Sequence, residues 1–169
     1  MLSVSTFVTG LLVAALQLFL GMVFSISAVY SGMFLLDCLT REVEEWALIK
    51  KGNTAAGVLY AIVVLSIIIM VEPSLLATVI SVHDAIVNGA VLTFVVHLLV
   101  LVIALLISVL SVYTILRVID SMTPDVEEFA EIRKGNVAVA LVTGAVLLGV
   151  SLVVSSAIKL VVVALTSTI

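Results

Sequence analysis

The sequence predicts an all-α integral membrane protein: four transmembrane helices as two parallel tandem repeats, each with a short amphipathic interfacial helix in its cytoplasmic connector. Three observations predict it. The 169 residues are 64% hydrophobic and 11% charged, with mean hydropathy +1.47. A soluble domain carries about 25% charged residues and about half apolar ones, so lipid is the expected solvent. Four apolar runs cover roughly 7–36, 54–82, 86–119 and 137–165, each longer than the ~20 residues that cross a hydrocarbon core. Finally, "VEEWALIKKGN" at 43–53 returns as "VEEFAEIRKGN" at 126–136.

The first run has no basic segment before it and is far longer than the apolar core of a signal peptide, so it reads as a retained span. At ~1.5 Å per residue a run of ~29 residues reaches ~43 Å, so these helices are expected to tilt or to stand proud of the bilayer on one side. The first connector then opens on Thr40-Arg41-Glu42, a weak helix start. Val43, Trp46, Ala47 and Ile49 follow at helical spacing on one face, with charges on the other. That pattern is a short helix lying in the interface with Trp46 at headgroup level. Gly52 stops it, and Asn53 can serve as N-cap of the second span.

The second span contains Glu72-Pro73. Two outcomes stay open: a kink at Pro73, or a span ending near Val71 followed by a short outer segment. The third span leads to the second connector, where Thr123-Pro124-Asp125 is a stronger helix start, with a hydroxyl cap, a proline at the first position and an acid near the positive dipole end. Val126, Phe129, Ala130 and Ile132 repeat the apolar face, and Gly135-Asn136 repeats the stop and restart before the fourth span.

Aligning 37–53 with 120–136 gives ten identities in seventeen positions: Asp37/Asp120, Thr40/Thr123, Val43/Val126, Glu44/Glu127, Glu45/Glu128, Ala47/Ala130, Ile49/Ile132, Lys51/Lys134, Gly52/Gly135 and Asn53/Asn136. Trp46/Phe129 and Lys50/Arg133 are conservative. The chain therefore divides into repeats 1–85 and 86–169 within one membrane domain. Each unit crosses twice, so both copies enter the membrane alike, related by an axis along its normal. Many transporters use inverted repeats instead, which weighs against alternating access.

Six of the seven basic residues, Arg41, Lys50, Lys51, Arg117, Arg133 and Lys134, lie in or beside the connectors; Lys159 is the exception. The positive-inside bias makes that face cytoplasmic and places both termini and the 72–88 turn outside a cell membrane. Small residues predict where helices meet in lipid. Asn53, Gly57, Ala61 and Asn136, Ala140, Gly144 fall at i, i+4, i+8 on the even spans. Gly21, Ser25, Ala28, Gly32 and Ala104, Ser108, Ser111 mark the odd ones.

Gln17 and His97 are the polar groups at depth, and intramembrane polar residues are functional suspects. The plainer expectation is that they bond each other or a neighbouring hydroxyl. Glu72, His83, Asp84 and Lys159 gather at the outer ends, where snorkelling or ion pairing accounts for them. Tyr30 and Tyr113 belong to the inner aromatic belt. The single cysteine, Cys38, precludes an intrachain disulfide. The sequence has no metal-ligand cluster, phosphate loop or catalytic triad pattern, and no basic stripe for nucleic acid. No cofactor, no metal and no enzyme activity are expected.

With "EEWALIKKGNTAAG" and "VEEFAEIRKGNVAVA" in view, the chain resembles the YjfL-like membrane family, domain of unknown function 350, with two tandem copies of its two-helix unit. The resemblance covers the whole chain. It implies a prokaryotic cell-membrane protein, with membrane-stress and ATP-grasp ligase partners as the setting. Only Gly52-Asn53 and Gly135-Asn136, with their upstream acids, match as motif positions, and no functional residue carries over.

Two functions follow as expectations. In the first, the chain self-associates as a homo-oligomer in the lipid bilayer and presents the acidic faces of its connectors, Glu44, Glu45, Glu127 and Glu128, to a soluble cytoplasmic protein. The alternative is an oligomeric cation channel, with Asp37, Asp120 and those glutamates as a cytoplasmic vestibule.

Overall fold

A computed structural model describes residues 4–39, 45–122 and 128–166. Thr40, Glu44, Thr123 and Glu127, and with them the helix start at Thr123-Pro124-Asp125, lie outside these residues. Six helices follow one another: α1 (Val4–Leu39), α2 (Glu45–Lys50), α3 (Thr54–Val87), α4 (Val91–Met122), α5 (Glu128–Arg133) and α6 (Val137–Thr166). Four are long and apolar enough to cross a membrane. Helix is the form such segments must take, because in hydrocarbon each backbone N–H and C=O needs a partner within the segment.

Pro73 neither ends nor divides α3, which runs unbroken for 34 residues. A proline inside a helix forgoes one backbone bond and clashes with the turn before it; packing on both sides holds this helix through it, with Met70, Val71 and Ser74 all buried. The turn between α3 and α4 is therefore short. Asn88 caps α3, its N–H bonding to the Asp84 carbonyl, and Gly89 at φ +70° reverses the chain into α4.

α3 is the hub, in contact with each of the other five helices, and its largest interface is with α6, followed by α4. Its buried residues recur every three or four positions: Ala56, Leu59, Val63, Ser66, Ile67, Met70, Ser74, Thr78, Ser81. This is the stripe that helix packing needs. The main core joins them to Leu101, Ala104, Val112 and Leu116 of α4 and Leu147, Ile158 and Val162 of α6. A second cluster at the connector end of the bundle holds Ala55, Ala56, Leu59, Ile132 and Ala140. By contrast α1 is peripheral. Only 6% of its apolar window is buried, against 44% for α3, 39% for α4 and 28% for α6.

On the even spans the small-residue seam is realised on one side only, whereas on α1 Ala28 and Gly32 are buried and a Cβ at Gly32 would meet Ile67 Cγ2 at 2.9 Å. Ala140 is fully buried, and a Cβ at Gly144 would run into Ile62 of α3, meeting its Cγ2 at 3.2 Å and Cγ1 at 3.3 Å as well as Cδ1. The α3 stripe of Gly57 and Ala61 instead points away from the core: nothing lies within 4 Å of a Cβ at Gly57, and Ala61 is exposed. The neighbouring face, with Ala55, Ala56, Leu59 and Val63, offers more apolar surface and takes the core side. Among the odd spans Ser108 is buried but its repeat counterpart Ser25 is exposed. Both hydroxyls bond back to the carbonyl four residues earlier, Ala104 and Gly21, at 2.7 Å.

Gly144→Val is expected to destabilise the protein by about 1–3 kcal/mol, the range for overpacking a filled core. Gly57→Ala is expected to be neutral or stabilising by up to about 1 kcal/mol, because it meets no neighbour and removes a helix-weakening glycine. Reversible denaturation in mixed micelles measures both. The double variant Gly144→Val/Ile62→Ala should recover part of the first loss.

Candidate functional site

The twice-written connector is the polar feature from which a site is built, and its chemistry begins at the glycines. Gly52 and Gly135 sit at φ +82° and +90°, a conformation that costs glycine little and other residues much. At the end of α2, Gly52 N bonds to Ile49 O at 2.9 Å and Asn53 N to Leu48 O at 3.1 Å. At the end of α5, Gly135 N bonds to Ile132 O and Asn136 N to Glu131 O, both at 3.0 Å. These paired bonds are the Schellman closure of a helix C-terminus.

Each asparagine then starts the next helix. Asn53 Oδ1 accepts from Ala56 N at 3.0 Å, and Asn136 Oδ1 accepts from Val139 N at 3.4 Å. Their amide groups go to different places. Asn53 Nδ2 crosses to the other connector and donates to the carbonyls of Ile132 at 2.8 Å and Arg133 at 3.0 Å. These lie among the last carbonyls of α5, and Ile132 O also receives Gly135 N in the closure of that helix. Asn136 Nδ2 stays local and donates to Glu131 Oε2 at 3.1 Å. Glu131 has Leu48 as its counterpart, and it also pairs with Lys134 Nζ at 2.7 Å. Hydrogen bonds from Lys134 and Asn136, with the Lys134 charge added, hold the Glu131 carboxyl below the usual carboxylate range.

The remaining connector residues are spread over different surroundings. Asp37 lies two positions before the end of α1, and Glu45 and Trp46 open α2. Lys51, Lys134 and Asp120 are exposed. Phe129 packs against both apolar clusters and Ile132 is buried against the inner ends of α3 and α6. The apolar face of α5 is thus partly covered by protein, with Phe129 and Ala130 half-buried. Glu128 departs furthest from expectation: it is 5% exposed, drawn inward at the first position of α5, so it does not belong to a solvated acidic face.

At the other end of the bundle, Gln17 and His97 do not bond each other. Gln17 Nε2 donates to Val79 O at 3.1 Å, and Thr78 Oγ1 donates to His97 O at 3.0 Å. Both therefore clip their helices to adjacent residues of α3. Arg117 lies over the Tyr113 ring, 5.4 Å from its centre. Among the described residues, no three His, Cys, Asp or Glu side chains gather to hold a metal ion.

Two features were overlooked in the sequence. Glu131 sits at one of the few positions where the connectors differ, and that mismatch was the signal. The row Ser66, Ser74, Thr78, Ser81, buried along α3, was readable as polar residues at helical spacing within one apolar run.

The profile of the family described as Domain of Unknown Function (DUF350) matches residues 5–111 and again 93–169. The chain belongs to the DUF350 family. It is a multi-pass membrane protein of a family whose function is uncharacterised. The two matched segments overlap within α4, so the DUF350 pattern extends past one helix–connector–helix unit. No curated protein and no solved structure matches the chain.

Two measurements follow from the connector geometry. Asn53→Ala, which removes a helix cap and the bonds to α5, should cost about 2 kcal/mol, and Asn136→Ala about 1 kcal/mol. Denaturation of the two variants side by side tests this ranking. The depressed Glu131 carboxyl adds stability above its unfolded value, near 4.5, and that contribution is lost as pH falls through the lower folded value. Acid titration of amide exchange at 134–139 should show loosening in this window, absent in Glu131→Leu.

Proposed function

We propose that this protein is a non-enzymatic cell-membrane component that self-associates through α1, with its connectors cytoplasmic and both termini outside. Its two helix–connector–helix units stand as parallel repeats about an axis along the membrane normal. The carrying observation is the unequal burial of repeat-equivalent helices: 6% of the α1 window against 39% of the α4 window. α4 packs against α1, α3 and α6, whereas the main contacts of α1 are with α3 and α4. The α6 surface corresponding to the α3 face that holds α4 is left to lipid or to another chain.

A groove of about 640 Å³ beside α1 supports the same reading. Ser25, Val29, Met33, Tyr60 and Val64 line it, and Tyr30 and Phe34 stand at its edge, 74% and 58% exposed. Apolar surface gains nothing by leaving lipid for another helix, so association in a bilayer depends on fit and close approach. A groove edged by aromatic rings gives a second helix something to fit.

The other reading, an oligomeric cation channel, draws less support. The α3–α6 contact, with Ile62 pressed on Gly144, sets these two helices close together within one chain. A path between chains would be walled by α1, whose exposed residues include Leu18, Met22 and Ile26. These offer an ion no ligand to replace its water. Docking of a soluble protein would fall to Asp37, Glu44, Glu45 and Glu127, since Glu128 is turned inward.

In a Cys38→Ser background, Tyr30→Cys or Leu18→Cys on α1 is expected to form disulfide dimers in native membranes on mild oxidation. Val153→Cys and Leu160→Cys, comparably exposed on α6 at 70% and 71%, are expected to remain mostly monomeric. Monomer at all four positions, or equal yields from both helices, would sink self-association through α1.

A further inference from the structure

At the outer end of the α3–α4 hairpin the fold forms a cavity of about 380 Å³, lined by Ser81 and Asp84 of α3, Asn88 of the turn, and Thr93 and His97 of α4, with Ala77, Ile80 and Ala90 as its apolar part. Asn88 is exposed and Asp84 half-buried, so the mouth is on their side. His97 and Ser81, 3% and 1% exposed, form the floor.

The hydrogen-bonding state of the imidazole follows from its neighbour. His97 Nδ1 lies 2.8 Å from the Thr93 carbonyl. A carbonyl can only accept, so Nδ1 carries the hydrogen, and in the neutral ring Nε2 is a bare lone pair. That nitrogen is buried and meets no hydrogen-bond partner among the described residues. A buried acceptor left in this condition is costly, and such groups call for an explanation.

The rest of the wall has the same polarity. Ser81 Oγ donates its hydrogen to Thr78 O at 2.7 Å, which leaves its lone pairs available. Asp84 Oδ1 accepts from Asn88 Nδ2 at 3.2 Å, and the carboxyl group has further lone pairs. No lysine or arginine lines the cavity. The set is also specific to this hairpin. The positions corresponding to Ser81, Thr93 and His97 in the other repeat are Ala164, Gly10 and Ala14, so it is no by-product of the duplication.

We propose that this cavity binds a primary ammonium group, whose hydrogens are taken by His97 Nε2, Ser81 Oγ and the Asp84 carboxylate while its carbon chain lies along Ile80 and Ala90. The charge answers Asp84, and the N–H donors answer a wall made mainly of acceptors. A volume of about 380 Å³ leaves room for a short carbon chain as well as the ammonium head. The guest is either a small soluble alkylamine or the amine headgroup of a lipid. The site stands independently of self-association, since it lies wholly within one chain.

The chain has two histidines, so His83→Gln leaves His97 as its only imidazole for nitrogen-15 NMR in nanodiscs. In phosphatidylcholine alone, ethylammonium chloride is expected to shift the Nε2 resonance saturably at constant pH, and tetramethylammonium chloride, which has no N–H, is expected to leave it unmoved. Asp84→Asn should weaken the ethylammonium response by about tenfold or more. If phosphatidylethanolamine alone moves Nε2 and ethylammonium adds nothing, the lipid headgroup is the occupant; if only ethylammonium does so, the guest is soluble. No saturable shift from either source, or an equal shift from tetramethylammonium or sodium acetate, overturns the proposal, as does an unchanged response in Asp84→Asn.

Discussion

Three helix ends meet at Asn53, and the rest of the architecture depends on how that meeting is satisfied. α2 stops, α3 starts and α5 stops within reach of one side chain. A helix end leaves backbone groups without partners in its own helix, and near a bilayer there is little room for water to serve them all. Gly52 folds the chain back so that the closing bonds of α2 are made by the residues that open α3. Asn53 then divides its amide, the oxygen capping α3 and the nitrogen serving α5. An aspartate could do the first and not the second, and a serine would not reach both. The result fixes α5, from the second repeat, to the inner end of α3, from the first, and so places Ile132 and Phe129 over the start of the bundle.

From this point the two repeats part company. Their connectors share backbone closure and cap, yet Asn136 does not reach across to α2 as Asn53 reaches to α5. A single difference, Glu131 for Leu48, gives the Asn136 amide a nearby carboxylate to bond. The bundle is uneven in the same sense: α3 touches every helix, and α6 contacts only α3, α4 and α5 appreciably. Ser25 and Ser108 make the same backbone bond in opposite settings, one at the surface and one in the core. Segments that match in sequence thus stand in unequal surroundings.

What the sequence made legible was whatever depends on local chemistry or on solvent. The spans were readable from hydropathy, and the helix stops from Gly52 and Gly135, because only left-handed backbone satisfies that closure cheaply. Each asparagine cap was readable from its place one residue later. What depends on which helices are neighbours was not. Gly57 and Ala61 have the same spacing as Ala140 and Gly144, and spacing alone does not say which face meets a partner. Glu128 and Glu45 are written alike, and only the packing of α5 on α3 and α6 turns Glu128 inward. Pro73 was ambiguous because its cost is local, while the contacts that carry α3 on through it as one helix come from distant residues.

The polarity of α3 bears on what such a bundle is for. A helix that served only as a packing post would do as well with alanine at 66, 74, 78 and 81, since small apolar residues allow the same close approach without a hydroxyl to satisfy. Thr78 and Ser81 use their hydrogens on carbonyls, but the Ser66 and Ser74 hydroxyls meet no partner among the described residues. Buried hydroxyls without partners weaken a core. Stability would favour replacing them. Two of the four positions therefore carry a hydroxyl that the packing around them does not use. Nearer the connectors, Ala55, Ala56, Leu59 and Val63 make the same close approach with no hydroxyl to satisfy.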